Sequence, residues 1–297
     1  MTLRKHIFAL LLIAPCSLLP ASAQEGNDEA GVWSELGIEK AITKAWDVGM
    51  DLEYRAQNRA RFSVGLGTSY KLNKHLKFGL SYSFLYSERP DKYKDKSEGE
   101  VGSDYWTTGY NHTPEYWFPR HRFSAEMTGS IKLWGWLKIS LRERYQLTHC
   151  RARNVEKLKH REINEKKVDF DEDWNEITWY EQTVTDETVT EIKPAYTDQV
   201  LRSRLKFEFD KKRNPFSPFI STEFHNSVSR GDRMLLQKIR TSIGCGYKFR
   251  KRNEVSLAYI LTFDMYDIEE DETTMTLQTV RLHDRMHAIN IGYKYSF

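Results

Sequence analysis

The last eleven residues, His287 to Phe297, alternate strictly between two kinds of side chain and then stop on an aromatic. His287, Ile289, Ile291, Tyr293, Tyr295 and Phe297 share one face of an extended chain. Ala288, Asn290, Gly292, Lys294 and Ser296 share the other, because successive strand side chains point oppositely. Such a segment cannot be a helix without scattering its apolar residues around the cylinder. It is a strand with one greasy face, ending on a terminal aromatic.

The same period of two runs through the chain. Trp46, Val48, Met50, Leu52 and Tyr54 alternate with Asp47, Gly49, Asp51 and Glu53. After Arg55-Ala56-Gln57-Asn58, the set Ala60, Phe62, Val64, Leu66, Thr68 and Tyr70 alternates with Arg59, Arg61, Ser63, Gly65, Gly67 and Ser69, and beyond Asn73-Lys74 come Leu76, Phe78, Leu80, Tyr82, Phe84 and Tyr86. Further strands are predicted over 121–133, 136–148, 199–210, 217–226, 236–249 and 254–265. Short turns alternate with longer links at 88–119, 149–198, 227–235 and 266–283. On the apolar face aromatics gather near strand ends (Trp46, Tyr70, Trp134, Tyr247; Tyr54, Tyr86, Phe123, Tyr145), while Val64, Leu66, Ile139 and Leu141 occupy the middles. Two aromatic girdles around an aliphatic band match the two interfaces of a bilayer.

Composition fits this reading. Mean hydropathy is −0.66 and 29% of residues are charged, yet aromatics reach 13%. That excludes a helical membrane protein while suiting a barrel that is apolar only at alternate positions. The chain's long apolar run is its start: Arg4 and Lys5, then Ile7 to Leu19, then Pro20-Ala21-Ser22-Ala23, the pattern of a cleaved secretory signal over 1–23. Cys16 raises a lipoprotein signal as the alternative, opposed by Pro15 where a small residue is expected. Losing Arg4 and Lys5 lowers the basic count from 45 to 43 against 42 acids, so total charge points to no nucleic-acid partner. Cys150 and Cys245 fall on different strands at opposite heights, beyond disulfide reach.

The expected architecture is therefore all-β: residues 24–297 form an antiparallel transmembrane barrel of ten to twelve strands, with short periplasmic turns and long external loops. Counting 31–42 gives eleven strands, whereas 46–297 alone would close ten and an extra pairing within 24–30 would make twelve. Glu143, between Leu141 and Tyr145 on the lipid face, requires either a β-bulge or a place near the outer interface.

Arg120-His121-Arg122-Phe123, Ser140 to Gln146 and Leu201-Arg202-Ser203-Arg204-Leu205, together with Trp33-Ser34-Glu35-Leu36 and Lys238-Ile239-Arg240, resemble the domain-of-unknown-function 2490 family of bacterial outer-membrane barrels. The resemblance runs over about 31–297. It implies a fold and an outer-membrane location, with lipid, lipopolysaccharide and the assembly machinery that reads the strand ending at Phe297 as partners, and no established activity. A monomer is expected.

The inward face carries the candidate chemistry. Arg59, Arg61, Arg122, Arg142, Arg144, Arg202, Arg204 and Arg240 outnumber acids such as Asp51, Glu53, Glu126, Glu208 and Glu223. They either pair across strands and fill a narrow interior, Glu53 with Arg59 and Arg61 for instance, or surround a hydrated lumen that draws anions. His225-Asn226-Ser227 resembles the His-x-Ser of outer-membrane acyl hydrolases such as lipid A deacylases, but it falls on the inward face and shows no orienting acid. Tyr105, Trp106 and Trp117 in the 88–119 link are candidates for stacking on a sugar or a protein partner. Asp169 to Asn175 lacks the sixth-position glycine and twelfth-position glutamate of a calcium loop. No zinc spacing and no phosphate-cradling loop occur, so neither metal nor cofactor is expected.

Overall fold

The computed structural model describes residues 28–211, 213–229, 234–250, 252–264, 267–271, 276–280 and 284–297. The expected signal segment lies outside them. Each alternating segment becomes a strand: β1 Asp28–Ala41, β2 Trp46–Ala56, β3 Arg61–Lys71, β4 Leu76–Arg89, β5 Lys92–Asp95, β6 Tyr105–Thr113, β7 Tyr116–Leu133, β8 Leu137–Cys150 and β9 Arg153–Phe170. There follow β10 Glu176–Lys193, β11 Tyr196–Phe209, β12 Phe216–Ser227, β13 Leu235–Phe249, β14 Asn253–Asp264, β15 Asp267–Asp271, β16 Thr276–Val280 and β17 Asp284–Ser296.

Eleven of them close a barrel in the order β1-β17-β14-β13-β12-β11-β8-β7-β4-β3-β2. An odd ring cannot alternate direction at every seam, so one pair must run parallel. That pair is β1 with β17, in continuous register from Asp28 opposite Arg285 to Glu39 opposite Ser296, while β1 is antiparallel to β2. Parity between ten and twelve strands is thus resolved by a single parallel seam. Trp33 anchors it from inside: the ring is 2% exposed, packs with Ile260 and Ala288 from β14 and β17, and donates from Nε1 to Gln57 Oε1 at 2.9 Å.

The alternation sorts faces as the pattern dictates. Met50, Leu66, Leu80, Ile131, Leu141, Ile243, Leu257 and Ile289 point outward and are exposed to what surrounds the barrel. Register lines Trp46, Tyr70 and Phe78 in one row at the short-turn end, and Tyr54, Phe62 and Tyr86 in another at the far end. Trp134 and Gly135 make the β7–β8 turn with positive φ (49° and 72°), closed by Trp136 N–H to Leu133 O at 3.2 Å. Two successive left-handed residues give the hairpin turn whose twist matches the strands it joins. Cys245 is a free thiol, and Cys150 is buried at the end of β8 with its Sγ 3.9 Å from the Pro119 carbonyl oxygen.

Glu143 is outward, and no bulge turns it in, because β8 runs in unbroken register with both β7 and β11. Its Oε2 instead accepts from Ser203 Oγ of β11 at 2.6 Å. If hydrocarbon covers this wall, one hydroxyl offsets only part of the cost of the carboxyl there. Glu143→Leu is therefore expected to stabilise the barrel by about 1 kcal/mol, read from the urea midpoint of unfolding from lipid vesicles. An unchanged or lower midpoint would contradict this.

The two longest links, expected as external loops, carry strands. They form a second compact unit, 88–118 with 151–195, whose sheet has the order β10-β9-β6-β5. β9 and β10 pair over all eighteen residues of each. β10 is exposed on both faces along most of its length, so no buried face imposed the alternation by which the barrel strands are recognised.

Candidate functional site

Small residues make room inside the barrel and charged ones fill part of it. Ser63, Gly67, Ser69, Gly79, Ser81 and Ser83 of β3 and β4, with Ser221, Ser242, Ser256 and Gly292 of β12, β13, β14 and β17, line a cavity of about 690 Å³. A Cβ on Gly79 would come within 2.9 Å of Glu126 Cγ, so glycine there lets the Glu126 side chain cross the lumen wall. The lining among the described residues includes ten Arg or Lys and eight Asp or Glu side chains, a surplus of two positive charges.

Three carboxylates organise the arginines. Glu53 takes a bidentate grip from Arg55 (2.8 and 2.7 Å) and a third bond from Arg61 at 2.5 Å. Glu126 accepts from Arg144 Nε at 2.7 Å, with Arg142 3.8 Å away. Glu223, 4% exposed, accepts from Arg142 Nη2 and Arg202 Nε, both at 2.8 Å. Paired guanidinium forks are among the stronger charge-assisted contacts a protein makes.

Of the arginines expected inside, Arg61, Arg122, Arg142, Arg144, Arg202, Arg204 and Arg240 line the cavity. Arg59 does not. It is exposed in the turn between β2 and β3, and β3 begins only at Arg61. The partner of Glu53 on its own strand is Arg55, which follows Asp51 and Glu53 on the inward face at the same period of two. That spacing was the signal for it, hidden by reading Arg55 to Asn58 as a turn. Trp33 belongs to the site as well, with Arg55 Cζ 3.7 Å and Arg240 Cζ 4.9 Å from its ring centroid.

His225 and Ser227 both point inward, as expected, and an acid does face the histidine: Glu223 Oε1 lies 2.8 Å from His225 Nε2. Serine is the element that fails. Ser227 is fully buried and its Oγ has no hydrogen-bond partner among the described residues, His225 included, so the imidazole is not positioned to take its proton. Glu223, already gripped by two arginines, reads as the centre of an ion-pair network.

In the second unit, Trp106 packs edge-on against Tyr180 with centroids 4.8 Å apart, and Tyr93 stacks on His112 at 4.2 Å. Tyr105 stays exposed on β6, and Trp117 donates from Nε1 to Glu115 at 3.1 Å on β7. Asp171 spends its carboxylate closing the β9–β10 turn, accepting from the Asp173 and Asn175 amides at 2.9 and 2.8 Å. Among the described residues no group of three or more His, Cys, Asp or Glu side chains is arranged to hold a metal. The acidic stretch Glu269 to Glu272 lies outside the residues whose side chains are described.

His160 joins β9 to β10 through its ring. Nδ1 is 2.7 Å from Asp186 Oδ1 and Nε2 3.3 Å from Glu162 Oε1, and these carboxylates raise the imidazole above its ordinary value. A folded value above the unfolded one contributes stability that is complete below about pH 6.5 and lost as pH rises through the folded value. The β9–β10 amides should therefore be better protected from exchange at about pH 5.5 than at about pH 8.5, after correction for intrinsic rates. Equal protection would contradict the contribution.

No curated protein sequence matches the chain. Among solved structures, the "CymD monoaromatic hydrocarbon channel" superposes with a TM-score of 0.39 at 10% identity, over 80% of this chain and 83% of that one. The model of the family described as "Protein of unknown function (DUF2490)" matches residues 30–270. The match spans the greater part of the chain and most of the barrel, Arg-x-Arg strands included: this protein belongs to the DUF2490 family.

Proposed function

We propose that the mature chain is a bacterial outer-membrane barrel whose arginine-rich lumen passes small anionic solutes. The observation that carries this reading is the imbalance inside: an internal cavity of about 690 Å³ lined by more cationic than acidic side chains. Rings of Arg and Lys favour anionic permeants, because a narrow low-dielectric wall focuses their field. Support for the membrane setting comes from the exposed apolar wall with its aromatic rows, the secretory pattern of residues 1–23, and a last strand followed by Phe297 that suits the outer-membrane assembly machinery. The working unit is a single barrel in contact with lipid and lipopolysaccharide.

Reversal potential tests the reading. The mature barrel, refolded and inserted in a planar bilayer under a potassium chloride gradient, should give a potential of the sign set by chloride. A cation-selective potential, or a folded barrel that never conducts, would overturn it.

A further inference from the structure

The arginines of the lumen are not all spent on carboxylates. Among the described residues Arg122 of β7 and Arg240 of β13 each make one hydrogen bond, from Nε to a buried threonine: Arg122 to Thr148 at 3.1 Å and Arg240 to Thr262 at 3.2 Å. Among the described residues neither has a carboxylate within 4 Å, and both line the cavity. Anchoring a guanidinium by Nε fixes its plane and leaves the terminal pair of nitrogens as an open fork. That fork is the part that grips an oxyanion bidentately.

Three further arginines stand with both of them. Arg55 lies opposite Arg61 across β2 and β3, Arg55 and Arg240 both approach the Trp33 ring, and Arg240 lies opposite Glu223 across β12 and β13. The charges felt by Arg122 include Arg61, Arg202, Arg120 and Arg55, and those felt by Arg240 include Glu223 as well as Arg55, Arg202 and Arg61. Arg55, Arg61, Arg122, Arg202 and Arg240 thus converge from β2, β3, β7, β11 and β13, in the half of the barrel away from the short turns. Glu53 and Glu223 answer these five cations, and Glu35, opposite Glu53 in register and also on the cavity lining, is a third carboxylate near Arg55. Arg61 Nε is also buried without a partner. Like charges gathered in a partly desolvated lumen repel strongly, and a bound anion is the simplest group that would offset the cations these carboxylates leave uncompensated.

We propose that this belt is a discrete binding site for a compact, multiply charged oxyanion, the chemistry shared by phosphate and small dicarboxylates, with the Arg122 and Arg240 forks as its principal ligands. Arg55 and Arg61 are held in place by Glu53, and Arg202 by Glu223. The Trp33 ring packs against both Arg55 and Arg240, whose Cζ atoms lie 3.7 and 4.9 Å from its centroid. The inference deepens the proposed anion-permeable lumen and rests on it for the ligand's access.

The test uses the refolded mature barrel and inorganic phosphate, with succinate in a parallel arm to tell phosphate from dicarboxylate as the preferred form. Phosphate should reduce single-channel chloride current saturably in the millimolar range, and calorimetry on the detergent-solubilised barrel should show one site. Arg122→Gln and Arg240→Gln should each weaken binding about tenfold or more. Lys294→Gln removes one lumen charge near Glu39, away from the belt, and should change it less than about twofold. Heat-shifted gel migration identifies which variants fold, and either fork variant suffices. Anion-selective current with no saturation by phosphate or succinate would overturn the site and leave the pore standing. Calorimetric binding lost in Arg122→Gln, in a barrel that does not conduct, would uphold the site and overturn the pore. Equal weakening by Lys294→Gln and Arg122→Gln would overturn the site in favour of a general positive field.

Discussion

Glu223→Gln should cost the barrel about 3 kcal/mol. The glutamate is 4% exposed and is the shared acceptor of Arg142 and Arg202, with His225 against it. Glutamine keeps the shape and removes the charge, so Arg202 loses its counter-ion and Arg142 is left with only the longer contact to Glu126 at 3.8 Å. Breaking a buried pair in this way costs more than the pair contributes over an apolar substitute, because the orphaned charge still has to be desolvated. Glu39→Gln supplies the contrast. Its partner Lys294 is half exposed, water screens the pair, and the expected loss is less than about 1 kcal/mol. Urea unfolding of both variants from lipid vesicles gives the comparison, and equal losses would show that the Glu223 network is as wet as the rim.

Leu66→Arg is the second large effect, and it probes the opposite face. Leu66 lies mid-strand on β3, is 57% exposed, and is flanked by Met50 of β2 and Tyr82 of β4. On a wall bathed by hydrocarbon an arginine there costs about 2–4 kcal/mol. On a wall bathed by water the same change stays within about 0.5 kcal/mol. A loss near zero would remove the bilayer from the account.

The barrel was legible because one solvent boundary imposed one pattern. Each of its strands has a face that must be apolar and a face that need not be, and alternation from Trp46 to Tyr54 or from His287 to Phe297 records that directly. Closure was not legible. Nothing local in Asp28 to Ala41 says that it pairs parallel to β17 rather than with a twelfth strand; the odd ring decides it. The strands of the second unit were missed for the converse reason: Glu181 to Thr190 meets solvent on both faces and carries no stripe. At the site, strand parity puts the arginines of paired strands on the cavity side, whereas parity fails at the β2–β3 turn, where Arg59 is exposed and Arg55 lines the cavity instead. Glu223 was named as an inward acid but not as the group facing His225. The two share a face, yet nothing in the spacing says which neighbour a side chain will turn toward.

The central claim is that residues of one parity along these strands touch lipid and residues of the other parity line a hydrated lumen. Nitroxide labels carried singly at positions 62 to 69 of β3, in a barrel with Cys150 and Cys245 replaced and reconstituted in vesicles, measure it directly. The account predicts that oxygen, which concentrates in lipid, relaxes labels at the sites of Phe62, Val64, Leu66 and Thr68. A water-soluble nickel complex should reach those at Ser63, Gly65, Gly67 and Ser69. Nickel access at both parities would mean that water, not hydrocarbon, covers the apolar wall.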